Sequence, residues 1–525
     1  MNIVAKLIFI TMFFVLSGCA INPTEFQKPE KLNSTHGYVF SPKVQSSLLE
    51  LGEVKIRSKN DGEIYTLQQN DSKFEGYGLW VPSGKYELVD MFDRALENNS
   101  YAPIEVSAGS FTEIGGLIWI NVGHDKRVLL PIHHSELEPQ VKKAKLIQDP
   151  YLLDHTIKVW KPNSVADPVY IPHESANHGI IIDLMLDYGR KIGLSNLNQQ
   201  LINIKDPDEF FAAAKRTLPP ITHSAVSGSD GAQYFGAELG QIRVRNTNGL
   251  WSSFDTGTLD NITAISIDHQ IVVAATSKGA ILKKNDNNWN VVAKIPGSPE
   301  VINVVHTSAG WLILAGDFSS SSYSAFPIVK ALSIFRANDN FSNLVQIKKI
   351  SMDGEREIFR PAAFYVNDKY YVNGFNKLHV LDVKTGIWNL VDPGHEITSL
   401  THDKNSSIFT AYKMQGIFSK LSISTDYGVS WSPMNTPGMT VQDIIFTSPS
   451  HAITVGLDMG LLSASFEVSK YEPLEKKSEL ISKSSPGVCK KIVTNEEMNL
   501  FFCISDDGSI LQFGDKRMVP EFILN

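Results

Sequence analysis

The sequence has few cysteines, no excess of positive charge and no long apolar run. Only three cysteines occur in 525 residues; besides Cys19, the pair Cys489 and Cys503 leaves room for one disulfide. The net charge of -8 gives no electrostatic support to a nucleic-acid partner. The apolar run from Leu7 to Val15 is shorter than the roughly 20 residues that a membrane-spanning helix needs. Over the whole chain, 42% of residues are hydrophobic and 20% are charged, which is the composition of an ordinary globular protein.

The start of the chain is typical of a secretory signal, with Lys6 before the apolar run. The run ends in Leu16-Ser17-Gly18-Cys19, which resembles a bacterial lipobox. That resemblance implies a signal peptide over residues 1–18, acyl chains such as palmitate on Cys19, and a polar tether over residues 19–35. Several acyl chains hold a protein stably at a membrane, whereas one chain holds it only reversibly. Ala20 stands where aspartate would resemble an inner-membrane retention signal, so we expect the outer membrane.

Residues 36–134 contain short apolar stretches separated by turn residues, a pattern that predicts a small antiparallel β-sandwich. Within them, Pro82-Ser83-Gly84-Lys85-Tyr86 resembles the hairpins of Ig-like or transthyretin-like domains of bacterial lipoproteins. The resemblance implies that Gly84 permits a turn and that Tyr86 packs as a corner of the sandwich.

Residues 135–220 are predicted to form a linker with two helices. The first would follow Pro172 and end near Gly193, with apolar residues at helical spacing, and the second would run from Asp206 to about Leu218. The segment His173-Glu174-Ser175-Ala176-Asn177-His178 is similar to the zinc motif H-E-x-x-H. Its second histidine is at i+5, about 140° around a helix from the first, so we predict no metal site and no cofactor.

Residues 221–525 repeat one pattern about every 40 residues: an apolar strand ending near glycine, a second strand, a polar turn and an aromatic residue. Such a period predicts a β-propeller, here of about seven blades. The repeats are Tyr234 to Trp251, Val272 to Trp289, Leu312 to Phe341, Tyr371 to Trp388, Phe409 to Trp431, Ile453 to Tyr471 and Phe501 to Phe513. Six or eight blades also agree with this pattern. The fold class is therefore mainly β, with a sandwich, a helical linker and a propeller.

One repeat contains the full motif S-x-D-x-G-x-x-W in Ser424, Asp426, Gly428 and Trp431. This motif resembles the Asp-box of sialidase-like and other BNR-repeat propellers. Asp426 is expected to bind backbone N–H groups and Gly428 to adopt a positive φ, which gives a tight turn between two strands. The motif is structural and predicts no specific substrate.

We interpret the chain as a lipid-anchored, non-enzymatic scaffold at the cell envelope, held at the membrane by its lipid and binding a protein or a glycan. The alternative is a sialidase-like glycoside hydrolase or another propeller hydrolase or lyase. Sialidases need an arginine triad, a tyrosine nucleophile and carboxylates. Ile358-Phe359-Arg360-Pro361 lacks one residue of their arginine-bearing motif F-R-I-P, so no residue is assigned a catalytic role.

The third repeat has the longest loops, and long loops on a compact scaffold often carry function. They contain aromatic and arginine side chains of the kind that anchor interfaces. The candidate partner-binding residues are Tyr323, Phe326, Arg356, Phe359 and Arg360. The alternative is a tolerated insertion.

The pair Cys489 and Cys503 would face each other if a hairpin were centred on Glu496. A disulfide there would close a loop of about 15 residues and stabilise the protein by roughly 3 kcal/mol. Two free cysteines in the core are the alternative.

Overall fold

The computed structural model describes residues 32–44, 53–69, 75–89, 102–121, 126–160, 169–172, 221–228, 230–268, 271–285, 288–319, 328–351, 359–403, 407–415, 418–437, 441–459, 464–484, 489–495, 500–505, 510–513 and 518–521. The chain divides into two compact units, and each is described by itself. The first holds residues 1–43, 51–117 and 131–166, and the second holds the rest, including the repeats. In the described ranges, no helix is both long and apolar enough to cross a membrane.

The described residues before the repeats form eleven strands: β1 His36–Pro42, β2 Val54–Ser58, β3 Ile64–Gln69, β4 Gly76–Pro82, β5 Gly84–Val89, β6 Ile104–Val106, β7 Phe111–Glu113, β8 Gly116–Asn121, β9 Lys126–Ile132, β10 Ile157–Val159 and β11 Val169–Pro172. Eight of them form one curled sheet in the order β10-β7-β1-β4-β3-β2-β5-β6. The other three form a separate sheet in the order β11-β9-β8. Most of the strands predicted for residues 36–134 are therefore present.

The curled sheet turns at strand β3. Residues Ile64 to Leu67 of this strand pair with β2, whereas Gln68 and Gln69 pair with β4. At the next hairpin Tyr86 is 1% exposed, and its hydroxyl donates to the carbonyl oxygen of Pro82 at 2.5 Å. Tyr86 is therefore buried at this hairpin. Its role as the corner of a sandwich and the relation to Ig-like or transthyretin-like domains stay predictions.

A helix, α1 Glu138–Gln148, lies in the segment that the sequence assigned to the linker. Proline at its start is tolerated because the first N–H groups of a helix have no partner inside it. Its buried residues Val141 and Ala144 pack on the aromatic side chains of Tyr38, Phe40 and Phe111. The predicted sandwich boundary at residue 134 thus lies inside the packed region, which continues through β10. The two predicted helices between Pro172 and Leu218 lie outside the described residues, and Pro172 itself ends a strand.

Seven four-stranded antiparallel sheets follow, each with its strands in chain order. They are blade 1, with β12 Ile221–Ser227, β13 Gln233–Ala237, β14 Gln241–Arg245 and β15 Trp251–Asp255; blade 2, with β16 Ile262–Asp268, β17 Ile271–Thr276, β18 Ala280–Asn285 and β19 Asn288–Lys294; and blade 3, with β20 Glu300–Thr307, β21 Gly310–Ser319, β22 Ile328–Ala337 and β23 Leu344–Ser351. The last four are blade 4, with β24 Ala362–Val366, β25 Lys369–Gly374, β26 Lys377–Asp382 and β27 Trp388–Val391; blade 5, with β28 Ser399–His402, β29 Phe409–Lys413, β30 Lys420–Ser424 and β31 Ser432–Met434; blade 6, with β32 Val441–Ser448, β33 His451–Met459, β34 Ala464–Glu472 and β35 Lys477–Ser484; and blade 7, with β36 Cys489–Asn495, β37 Leu500–Ser505, β38 Ile510–Phe513 and β39 Met518–Glu521. The number agrees with the predicted count of about seven.

The second strands of blades 3 and 4 are apolar on both faces, because each face packs against a neighbouring blade. In blade 3, Ile313 belongs to the core shared with blade 2, while Leu312 and Leu314 belong to the core shared with blade 4. In blade 4, Val372 faces blade 3 and Tyr371 faces blade 5. Burial on both faces explains why the strands read as nearly continuous apolar runs.

The first strands of the blades form a closed ring. Each contacts the first strand of the next blade, and β36 of blade 7 contacts β12 of blade 1. Threonine hydroxyls on three first strands donate to carbonyls of the following blade: Thr222 to Ile262 at 2.5 Å, Thr263 to Val301 at 2.7 Å and Thr401 to Ile444 at 2.7 Å. The second unit is therefore a closed β-propeller.

Candidate binding face of the propeller

Successive strands of a blade alternate in direction, so the loops divide between two faces. Turns between second and third strands and connections between blades lie on one face, which we call the upper face. The two other turns of each blade lie on the lower face. On the upper face of blades 4 and 5, the described loops comprise residues 375–376, 392–398, 414–415 and 418–419.

The connection from blade 3 to blade 4 ends in the core. Phe359 is 8% exposed, and its ring centroid lies 5.0 Å from that of Phe375. Arg360 is half-buried; its N–H donates to the carbonyl of Thr398 at 2.8 Å, and its carbonyl accepts from Asn373 Nδ2 at 2.9 Å. The prediction that Phe359 anchors a partner is therefore corrected, because its side chain is used in packing.

The hairpin between β25 and β26 has an uncommon backbone. Phe375 and Asn376 have φ of 49° and 60°, a region that asparagine tolerates but that bulky residues seldom adopt. The hairpin is held because Phe375 is buried and because the carbonyl of Asn376 accepts from Ile397 N at 3.0 Å. Such conformations persist where surrounding contacts determine them, and they are concentrated at binding and active sites.

Several buried polar atoms near this hairpin have no hydrogen-bond partner among the described residues. They are Asn373 Oδ1, Asn376 Oδ1 and His395 Nε2. A buried polar atom without a partner costs about 1–3 kcal/mol, and most such atoms in proteins are completed by protein, water or ligand. The upper end of blade 4 therefore carries unused hydrogen-bonding capacity.

His379 lies in the seam between blades 3 and 4 and is 8% exposed. Burial, followed by the nearby charge of Lys348, lowers the pKa of His379 to about 4, and the backbone of Gly374 offsets this only in part. Burial also lowers the pKa of Lys348, whose Nζ lies 4.3 Å from the ring centre of Trp388. His379 is therefore neutral at physiological pH, with one ring nitrogen able to donate and the other to accept.

Several polar side chains of the lower face are paired with one another. His306 Nδ1 lies 2.5 Å from Asp268 and its Nε2 lies 3.0 Å from Asp339. Asp368 accepts from Ser308 at 3.0 Å, as well as from Tyr365 at 2.9 Å and Lys384 at 2.6 Å. Two other buried atoms near this face, Trp311 Nε1 and Arg336 Nε, have no hydrogen-bond partner among the described residues.

The Asp-box forms the expected turn on the lower face of blade 5. Asp426 accepts from the backbone N–H of Val429 at 3.1 Å and from that of Ser430 at 2.9 Å. These contacts, with the hydroxyls of Ser430 and Ser424, lower the pKa of Asp426 to about 2, and the Ser430 hydroxyl has the largest effect. Gly428 has φ of 76°, as predicted for this position.

The turn is also attached to the preceding blade. Trp431 packs on the core shared by blades 4 and 5, just before strand β31. The hydroxyl of Tyr371 donates to the carbonyl of Tyr427. The geometry is that of a structural turn, and membership of the BNR-repeat class stays a prediction.

The last blade corrects the register expected for its cysteines. Cys503 stands opposite Ile492 and Cys489 opposite Ser505, because the innermost pair of the hairpin is Asn495 with Leu500. Turn position sets register, so this hairpin places the cysteines two positions out of alignment. The directly opposed pair on which the disulfide was predicted is therefore absent from the described strands.

Other predicted site residues lie outside the described residues. These are Cys19 with its lipobox, the motif from His173 to His178, and the loop residues Tyr323, Phe326 and Arg356. Within the described ranges, no group of three histidine, cysteine or carboxylate side chains is arranged to hold a metal ion. The structure thus brings together Phe359 and Arg360 from the predicted set, and adds Asn373, His379 and His395.

Sequence reasoning missed these three added residues. His379 alternates with apolar residues in a strand, and its surroundings come from Lys348 and other residues of another blade. The spacing of residues along this strand therefore gave no indication of that environment. Only the hairpin left a signal, since asparagine is one of the residues that tolerate positive φ in hairpin turns.

No protein-family model matches the chain, and no curated protein is significantly similar to it. Solved propellers are similar in fold. They include YCF48 from Cyanidioschyzon merolae, with 13% identity over 56% of this chain and 96% of that one at a TM-score of 0.40. Sqt1 from Saccharomyces cerevisiae has 11% identity over 58% of this chain and 84% of its own at a TM-score of 0.38. YCF48 bound to D1 peptide has 12% identity over 56% and 94%, at a TM-score of 0.39. At such values the similarities say nothing about what this chain binds.

Proposed function

We propose that this chain is a lipid-anchored, non-enzymatic protein of the bacterial envelope whose propeller binds a protein or a glycan through its upper face. The observation that carries the proposal is the concentration of unpartnered polar atoms around the hairpin of Phe375 and Asn376. A closed ring holds these groups in fixed positions. A binding site gains affinity when its groups are preorganised in this way.

The hydrolase alternative receives no support from the described arginines. Arg243 and Arg245 are buried on the third strand of blade 1, Arg336 lies on the third strand of blade 3, and Arg360 lies just before blade 4. They lie on or next to strands of different blades, and none of them is assigned to a carboxylate-binding triad.

The lipid anchor of this proposal rests on Leu16-Ser17-Gly18-Cys19 after the apolar run from Leu7 to Val15. Replacing Cys19 by serine removes the thiol that would carry the diacylglyceryl group. We expect Cys19→Ser to lose label from radioactive fatty acid and to leave the membrane fraction. Equal labelling of the variant and the wild type would contradict the anchor.

The binding role is tested by capture of envelope proteins on the full chain after chemical crosslinking. Simultaneous replacement of Tyr323, Phe326, Arg356 and Arg360 by alanine should abolish capture, because aromatic and arginine side chains supply most interface energy. Phe359 is left intact because it belongs to the core. The melting temperature should change little, and capture that survives in the folded variant would show that these residues are not the site.

A further inference from the structure

Phe418 is an exposed aromatic side chain on the upper face of blade 5. It is 68% exposed, in the loop between strands β29 and β30. Its backbone N–H donates to the carbonyl of Gln415 at 3.1 Å, and Gln415 N donates to Ser419 Oγ at 2.9 Å. An exposed aromatic ring whose backbone is held by such bonds offers apolar area to a partner at little cost in ordering.

Basic residues lie at the ends of this loop and of the neighbouring hairpin on the same face. Lys413 and Lys420 stand at the two ends of the same loop, and Lys377 follows the neighbouring hairpin of blade 4. The charges of Lys413 and Lys420 both act on His395 and on Glu396, which places all four groups close together. Glu396 forms an ion pair with Lys413, whose Nζ lies 2.6 Å from Glu396 Oε2. Lys377 and Lys420 are exposed and form no ion pair among the described residues, whereas the whole chain has a net charge of -8.

We infer that the upper face of blades 4 and 5 binds an acidic peptide segment of a partner protein. An apolar side chain of the segment packs on Phe418, and its carboxylates face Lys377 and Lys420. A peptide supplies both groups with a short repeat, whereas an acidic polysaccharide lacks the apolar side chain. The inference rests on the proposed function, because it names the partner of the same face.

Fluorescence anisotropy on the full chain tests this with two labelled peptides of equal length, one alternating leucine and glutamate and one alternating leucine and lysine. We expect the acidic peptide to bind and the basic one not to bind. Phe418→Ala should weaken binding at least about tenfold, as expected for loss of an aromatic anchor. The double variant Lys377→Glu, Lys420→Glu should weaken it further, and raised salt should weaken the wild type.

Matched controls come from the lower face. Leu474→Ala removes a side chain that is 76% exposed, and Lys477→Glu reverses an exposed charge at the start of β35. Both should leave binding unchanged. Unchanged binding by Phe418→Ala, or equal binding of the two peptides, would overturn the inference.

Two further outcomes separate this inference from the proposed function. Binding of labelled alginate in place of the acidic peptide would overturn the peptide and leave a glycan-binding scaffold. Failure to bind either ligand, with crosslinked capture of an envelope protein intact, would overturn the acidic site alone. Loss of capture as well would count against both.

Discussion

Glu300 shows how one residue can make the stability of the propeller depend on pH. It opens strand β20, the first strand of blade 3, and burial raises the pKa of its carboxyl to about 7. The unfolded chain would hold that proton near the ordinary value of 4.5. The contribution of Glu300 to the free energy of unfolding should therefore be greatest below about pH 4.5 and be lost as pH rises to about 7.

We expect Glu300→Gln to remove this dependence, because the amide never ionises. Above pH 7 the variant should be more stable than the wild type, by an amount on the order of 3 kcal/mol at most. Urea unfolding at several pH values between 4 and 8 measures the effect. Glu475→Gln, at an exposed turn, is the control and should leave the pH dependence as it is in the wild type. Parallel curves for Glu300→Gln and wild type would show that Glu300 is not the cause.

At this scale the sequence predicted the residues with strict local requirements. Gly428 was identified because a tight turn needs a positive φ, and Tyr86 because of its place in a hairpin motif. Phe359 was misassigned because an aromatic residue at the end of a long loop can point to solvent or into a seam. Only the neighbouring blade, which supplies Phe375, decides between the two.

Among the elements, the Asp-box turn joins two blades as well as two strands. A side chain added at Gly428 would lie 2.8 Å from a ring carbon of Tyr371, in the preceding blade. Gly257 has a similar φ, 79° against 76°, but a side chain added there meets nothing within 4 Å. Comparing alanine substitutions at the two glycines therefore distinguishes the cost of a strained backbone from the cost of disturbing the contact between blades.

We expect Gly257→Ala to destabilise the propeller by about 1–2 kcal/mol, the cost of a side chain at positive φ. Gly428→Ala should cost that amount and about 1–3 kcal/mol more, because Tyr371 must move. Urea unfolding of both variants provides the comparison. Equal losses would mean that the turn is not held against the preceding blade.

Elements were predicted best where their apolar pattern is strong. The second strands of the blades were located because apolar runs of this length are typical of strands buried on both faces. Helix α1 was missed because only Val141 and Ala144 of its residues are buried, which leaves a weak stripe. The register of β36 with β37 was missed because it depends on where the turn falls, and a small shift moves Cys489 away from Cys503.

At the scale of the whole molecule, closure makes the propeller a cooperative body. Cores lie between blades rather than inside them, so losing one blade exposes an apolar face of each neighbour. Contact between β12 and β36 extends this dependence around the ring. The repeat period predicted this architecture, because a four-stranded sheet with two apolar faces is buried only by neighbours on both sides.

Two compact units predict two unfolding transitions, and side chains in the two cores can assign them. Ile56 in the curled sheet and Ile313 in blade 3 are both 0% exposed, so alanine at either position should cost about 2–5 kcal/mol. In calorimetry, Ile56→Ala should lower the midpoint of one transition only, and Ile313→Ala that of the other. Leu421 lies in blade 5 and is 2% exposed. Leu421→Ala should lower the same midpoint as Ile313→Ala, because the ring unfolds as a whole. A new transition in Leu421→Ala, separate from the one that Ile313→Ala shifts, would mean that blades unfold independently and that contacts between them do not make the ring cooperative.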